Sequence, residues 1–157
     1  MINSCGDGEN TMMDVMASSI LDVPVASVWA FIRDFGSIGK WLPGVKSCRI
    51  EGDDPGDRVG AIRCLEMDDA GLIREQLLAL SDTDHTVAFS IIESRLPIWN
   101  YRSAIRLFPV TDGNRTFIRW QGRFEAEPEH ALAMRARMPA LIYQPAFDCL
   151  AERLRGE

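Results

Sequence analysis

The sequence has no hydrophobic run long enough to cross a membrane. Its longest apolar stretch, Val23 to Ile32, is about half of the ~20 residues that a membrane-spanning helix needs. The first twelve residues contain neither a basic residue nor the apolar core of a secretory signal. We therefore expect a cytoplasmic protein that does not insert into membranes.

Metal-ligating and nucleophilic residues are few and scattered. The four cysteines form no C-x-x-C pair and are Cys5, Cys48, Cys64 and Cys149. Only His85 and His130 could join them as imidazole ligands or bases, and neither falls within a predicted strand core. These spacings do not support a metal site or a catalytic triad. We expect no metal and no cofactor, three cysteines acting as small buried hydrophobes, and Cys5 in a tail.

Positive charge is scarce as well. There are 17 basic and 23 acidic residues, which gives a net charge of -6, and the only lysines are Lys40 and Lys46. A general nucleic-acid binder needs a positive surface, so nucleic acid is not an expected partner. A local basic stripe on the outer face of the sheet could bind another partner, although a solvated face is the favoured interpretation. The stripe consists of Arg102, Arg106, Arg119 and Arg123.

Apolar residues are plentiful enough for one compact domain. The 157 residues are 46% apolar and 25% charged, and a chain of this length buries roughly 70% of its unfolded surface. The small polar residues at the start predict a flexible tail over residues 1–11, followed by a single domain over residues 12–157. A monomer and a homodimer both fit this size.

The order of the predicted elements indicates an α+β fold. An extended segment from Met12 to Val23 leads into a helix that begins near Pro24, and a second short helix covers Ser37 to Trp41. Six strand-like runs separated by turn residues follow: Val45–Glu51, Arg58–Met67, Leu72–Leu80, Thr86–Glu93, Trp99–Val110 and Thr116–Glu125. A long helix from Pro128 to Arg155 ends the chain, with kinks expected at Pro139 and Pro145. We predict a curved, antiparallel, seven-stranded sheet wrapped around that helix, with two short helices after the first strand.

Alternation of apolar and polar residues predicts which side chains face the helix. Three sets are expected to point inward: Tyr101, Ser103, Ile105 and Leu107; Thr116, Ile118, Trp120, Gly122 and Phe124; Val87, Phe89 and Ile91. Two charges interrupt this pattern, because Arg63 alternates with Ala61 and Leu65, and Glu75 shares a face with Ile73, Leu77 and Ala79.

The position of these two charges depends on one turn. A three-residue loop within residues 68–71 places Arg63 and Glu75 on the same face, whereas a four-residue loop places Arg63 beside Gln76. If both charges point inward, they form a polar site in an apolar cavity, which is typical of a small-molecule pocket. The alternative is a solvated or purely structural ion pair.

Several short motifs resemble a known superfamily. They are Val28-Trp29, Asp34-Phe35, Trp41-Leu42-Pro43, and Ile118 to Trp120 followed by Phe124. Together with the element order, they are similar to the START-like, birch-pollen-allergen-like helix-grip superfamily, and most of all to its polyketide cyclase/dehydrase (SRPBCC) branch. Arg63 and Glu75 match an Arg on the third strand and a Glu on the fourth in plant lachrymatory factor synthase and its relatives. The resemblance implies an internal cavity gated by loops near its mouth.

The expected ligand is a small hydrophobic molecule, carbonyl-bearing or aromatic. As an enzyme, the protein would use Glu75 as a general acid/base and Arg63 to bind an oxygen anion or carbonyl, driving a cyclisation, dehydration or isomerisation. The alternative is a non-catalytic carrier or sensor of a lipid-like ligand. The candidate ligand-binding residues are Tyr101, Trp120 and Ser103 on the inner face, Trp41 and Pro43 at the cavity rim, and Met138, Leu141 and Ile142 on the helix.

Overall fold

The computed structural model describes residues 9–156, which form a seven-stranded sheet covered by a C-terminal helix. Every neighbouring strand pair is antiparallel, and the spatial order is β1-β7-β6-β5-β4-β3-β2. The strands are β1 (Thr11–Leu21), β2 (Val45–Ile50), β3 (Ile62–Met67), β4 (Gly71–Ser81), β5 (Thr86–Glu93), β6 (Trp99–Val110) and β7 (Arg115–Ala126). The predicted fold class is confirmed.

Most element boundaries lie within two residues of the prediction, and the largest difference is at the third strand. Residues 1–8 of the predicted tail, including Cys5, lie outside the described residues, and Thr11 is the first residue of β1. The third strand begins at Ile62 and not at Arg58. Gly60, with φ of +97°, stands in the turn that precedes it and makes the strand start later than the apolar pattern indicates.

Polar contacts fix the first of the two short helices to the turn after β4 and cap the second. Helix α1 (Val25–Ile32) buries Val28, Trp29 and Ile32, and the Trp29 indole N–H donates to the Asp82 carboxylate at 2.8 Å. A 3-10 helix (Phe35–Lys40) follows, and its first turn is capped by the Asp34 carboxylate, which accepts from the Gly36 N–H at 3.1 Å.

The C-terminal helix is locally widened where kinks were predicted. Helix α2 (Pro128–Met138) runs into a π-helical turn (Pro139–Tyr143) and then into helix α3 (Gln144–Arg155). Within the turn, the Gln144 N–H donates to the Pro139 carbonyl, five residues back. Pro145 lies in the first turn of α3, where its missing N–H is compatible with the wider turn.

Most of the residues predicted to face inward are buried, and Ala79 is the one that is exposed. The inner residues of β6 and β7 are buried, and Ile91 at the end of its β5 set is partly buried. Ala79 is exposed, because a bulge between Leu77 and Ala79 shifts the β4 register and brings Leu80 opposite Val87. Of the described cysteines, Cys64 is buried, whereas Cys48 and Cys149 are only half-buried.

The outer face of the sheet carries the predicted arginine stripe. Arg102 is directly opposite Arg123, and Arg106 is directly opposite Arg119. A role for this stripe in binding a partner stays a prediction. Among residues 9–156, no helix is both long and apolar enough to span a membrane.

Candidate functional site

The β3–β4 hairpin determines where the two interior charges lie. Met67 pairs with Gly71, so the loop contains three residues, and Gly71 adopts a φ of +66°, which favours glycine. In this register Arg63 lies directly opposite Glu75 on the inner face. The three-residue alternative is therefore the one that the molecule adopts.

Arg63 and Glu75 form a buried ion pair inside an apolar shell. The Arg63 Nε donates to the Glu75 Oε2 at 2.6 Å, and only 3% and 8% of the two side chains are exposed. The Arg63 Nη1 donates to the Phe35 carbonyl at 3.0 Å. The Arg63 Cζ lies 4.0 Å from the ring centroid of Phe35 and 4.6 Å from that of Phe89, so aromatic rings replace part of its lost hydration.

Glu75 lines a small cavity between the sheet and the helix. The cavity has a volume of about 70 Å³, which accommodates a few waters but not a drug-sized ligand. Its lining residues are Ile38, Leu42, Leu65, Met67, Ile73, Glu75, Ile91, Leu96, Tyr101, Trp120, Met138, Ile142 and Tyr143. The cavity is thus smaller than the resemblance implies. Five of the predicted site residues line it, namely Glu75, Tyr101, Trp120, Met138 and Ile142.

Trp120 forms the aromatic wall of this cavity. Its ring is stacked on Tyr143, with centroids 4.2 Å apart and planes 11° apart, and it meets the edge of Trp41 at 6.0 Å. The Trp120 indole N–H donates to the Ser103 hydroxyl, which in turn donates to the Gln121 carbonyl at 3.1 Å. Ser103 does not line the cavity; its contacts hold Trp120 in place.

Tyr143 is a site residue that the sequence reasoning missed. Its hydroxyl lies 2.7 Å from that of Tyr101. Burial raises the pKa of Tyr101 to about 12 and also raises the pKa of Tyr143, so both phenols remain neutral near pH 7. The signal was Gly122, because a Cβ there would collide with the Tyr143 hydroxyl oxygen. A glycine among large inward-facing residues indicates that another side chain occupies its space.

An outer groove of about 390 Å³ adjoins the cavity. Four side chains line both spaces and separate them: Met67, Leu96, Met138 and Ile142. The β3–β4 loop, Pro97 and Pro43 border the groove, so Pro43 lies at the rim as predicted. We describe this groove as the mouth of the cavity.

Two predicted positions are wrong. Leu141, expected on the cavity wall, is 61% exposed and lines only the mouth, because the π-helical turn brings Tyr143 inward. Trp41, expected at the rim, is only 2% exposed, and its indole N–H donates to the Ser37 hydroxyl at 3.2 Å.

Comparison with known proteins gives a consistent result. A family model described as polyketide cyclase/dehydrase and lipid transport matches residues 12–155. The abscisic acid receptor PYL7 of Arabidopsis thaliana is 28% identical over 109 residues, which are 67% of this chain and 50% of the receptor. The chain therefore spans about half the length of this relative.

Solved structures share the fold over most of the chain. A protein from Nitrosospira multiformis is 30% identical, with a TM-score of 0.74 and coverage of 90% of this chain and 96% of the other. Norcoclaurine synthase from Thalictrum flavum is 13% identical, with a TM-score of 0.76 and coverage of 94% and 89%. At 13% identity, this second likeness shows the fold alone.

Proposed function

The chain belongs to the polyketide cyclase/dehydrase and lipid transport family, and on this basis we propose that it binds a small hydrophobic, carbonyl-bearing molecule and that Glu75 transfers a proton within it. One observation carries the proposal: Glu75 lines an apolar cavity while Arg63 engages only its Oε2. A carboxylate fixed at one oxygen leaves the other oxygen available to a bound molecule.

The surrounding residues fit this chemistry. Arg63 is not among the cavity-lining residues, so its role is to position Glu75 and not to bind an oxygen anion. Tyr101 and Tyr143 line the same cavity, and because their neutral hydroxyls bond to each other, one of the two keeps a proton that it can donate to a carbonyl oxygen. Trp120 and Met138 supply the apolar wall.

Entry requires the mouth and the cavity to join. Two of the four side chains that separate them are the unbranched, flexible methionines Met67 and Met138, which can change rotamer. The mouth, at about 390 Å³, is itself within the usual range of small-molecule sites. Displacement of these side chains would let a ligand extend from the mouth to Glu75.

A ketone probe tests proton transfer without knowledge of the natural substrate. In deuterated buffer, a naphthyl methyl ketone should exchange its methyl protons faster with the protein than without it, because Glu75 removes a proton while a tyrosine hydroxyl binds the carbonyl. Glu75→Gln should reduce exchange to the buffer rate and leave ketone affinity nearly unchanged. The matched control is Glu66→Gln, which makes the same charge change at an exposed position on β3.

A non-catalytic carrier or sensor is the second candidate. Arg63 does not line the cavity, so no cation faces the place where an oxyanion would develop, which favours binding without catalysis. The similarity to a protein named as a receptor favours the same candidate. A carrier would bind the ketone with no exchange dependent on Glu75. It should also retain a hydrophobic molecule, unchanged, in native mass spectrometry of the purified protein.

A further inference from the structure

The polar groups that line the cavity carry negative charge or none. Glu75 is the one side chain of the lining that carries a formal charge at neutral pH. Tyr101 and Tyr143 contribute hydroxyls, and burial raises the pKa of each phenol, so they stay protonated. The remaining N–H of the lining, on Trp120, already donates to Ser103.

No arginine or lysine among the described residues lines the cavity, although Arg137 lines its mouth. Arg63 donates to Glu75 and to the Phe35 carbonyl, and the rings of Phe35 and Phe89 lie against its guanidinium. Its Nη2 has no hydrogen-bond partner among the described residues, but Arg63 does not belong to the cavity lining. Both lysines are exposed.

We infer that the cavity selects molecules whose buried end is a neutral or cationic polar group, such as a ketone, alcohol, phenol or amine, and rejects carboxylates. The inference rests on the proposed function of this same cavity. A second anion beside Glu75 would be buried with no facing cation, which is costly in an apolar interior. An alcohol or amine can instead donate to the free Glu75 oxygen and accept from, or donate to, a tyrosine hydroxyl. This selection contrasts with the acid for which the receptor relative is named.

Three probes with one apolar body test the selection. Naphthylethylamine, naphthylethanol and naphthylacetic acid differ only in the polar end, and their affinities can be measured by isothermal titration calorimetry at neutral pH. We expect the amine to bind at least tenfold more tightly than the acid, with the alcohol between them. The preference should persist in about 1 M salt, because exposed charges are then screened within roughly 3 Å while buried ones are not.

Two variants distinguish the effect of the charge in the cavity on ligand preference from the effect of the net surface charge. Glu75→Gln should reduce the preference for the amine at least tenfold, and Glu66→Gln, with the same change in net charge, should leave it unchanged. If Glu75→Gln does not fold, the salt series on the natural chain gives the same answer.

An acid that binds as tightly as the amine would overturn the inference and would indicate that the Arg63 Nη2 reaches the ligand. A preference that disappears in salt, or that both variants reduce equally, would also overturn it. If none of the three probes binds, the proposed function itself is contradicted.

Discussion

Two arginine–carboxylate pairs in this sheet have nearly the same geometry and opposite surroundings. Arg63 and Glu75 lie directly opposite each other on β3 and β4, as do Arg123 and Asp14 on β7 and β1. The Nε–oxygen distances are 2.6 and 2.7 Å, yet the side chains of the first pair are 3% and 8% exposed and those of the second are 63% and 69% exposed.

The outer pair even has the better hydrogen bonding of the two. Arg123 donates from both Nε and Nη2 to the two oxygens of Asp14. Arg63 donates only its Nε to Glu75, and its Nη1 donates to the Phe35 carbonyl. Water competes for the outer charges and is excluded from the inner ones, so distance alone does not rank the two pairs. Burial decides which pair the fold depends on. Two of the four experiments below compare the pairs directly, and the other two test how tightly the inner face is buried.

The largest effect is expected from breaking the inner pair. Arg63→Met leaves the Glu75 carboxylate buried without its cation and should lower the free energy of unfolding by about 3–5 kcal/mol. The double variant Arg63→Met/Glu75→Leu should recover most of that loss, because no unpaired charge remains. Urea denaturation measures both values. An Arg63→Met protein as stable as the natural chain would show that Glu75 is solvated.

The second effect is an alkaline loss of stability. The only two tyrosines, Tyr101 and Tyr143, are both buried with raised pKa values, that of Tyr101 to about 12. The folded state therefore retains protons that the unfolded state releases near pH 10. Below pH 10 the two phenols do not reduce the free energy of unfolding. As pH rises to 12, Tyr101 alone lowers it by about 3 kcal/mol. Ultraviolet titration should show no tyrosinate near pH 10 while the protein stays folded; a normal phenol titration there would contradict the buried arrangement.

A smaller effect is expected from adding one methyl group at the inner face. Gly122→Ala places a Cβ against the Tyr143 hydroxyl oxygen and should lower the free energy of unfolding by about 1–3 kcal/mol. Combining it with Tyr143→Phe removes the atom in conflict, so the two changes should be less than additive. The adjacent Gln121 faces outward and is exposed; Gln121→Ala should leave the denaturation midpoint unchanged. Strict additivity of the first two changes would place Tyr143 elsewhere.

The smallest effect should come from the outer pair. The hydrogen bond and charge of Arg123 hold the pKa of Asp14 below its ordinary value, so any contribution is present above the unfolded pKa and is lost as pH falls through the folded one. Because both groups are exposed and screened, Asp14→Asn should leave the denaturation midpoint at pH 7 within error, in low and high salt alike. A destabilisation comparable to that of Arg63→Met would reverse the ranking of the two pairs.

The sequence predicts the fold from local rules and reduces the position of the inner pair to two alternatives, between which the observed loop length decides. The hairpin loop has few possible lengths, and each length assigns a face to every residue of β3 and β4, which is why Arg63 and Glu75 could be placed. Alternation also identified the inner residues of β6 and β7. It failed at Ala79, because a bulge adds a residue that a strict period of two cannot detect.

The helical wall of the site could not be predicted in the same way. Pro139 and Pro145 signalled an irregularity but not its form, since a kink, a break and a wider turn all accommodate a missing N–H. The wider turn brings Tyr143 into the core and leaves Leu141 exposed. How much of the cavity these side chains fill depends on packing between elements distant in the chain, which no local pattern records.

The π-helical turn also acts as a one-residue insertion that keeps two helices in phase. Met138 and Leu150 are both buried, but in a regular α-helix their separation of twelve positions would turn them about 120° apart. If the wide turn absorbs one position, the angle falls to about 20°. Deleting a single residue from 139–143 would therefore restore ordinary helical winding and leave the apolar faces of α2 and α3 aligned, whereas regular winding at the present length would rotate α3 by about 100°. The wide winding of this short segment thus compensates for its extra residue and keeps the apolar faces of α2 and α3 aligned.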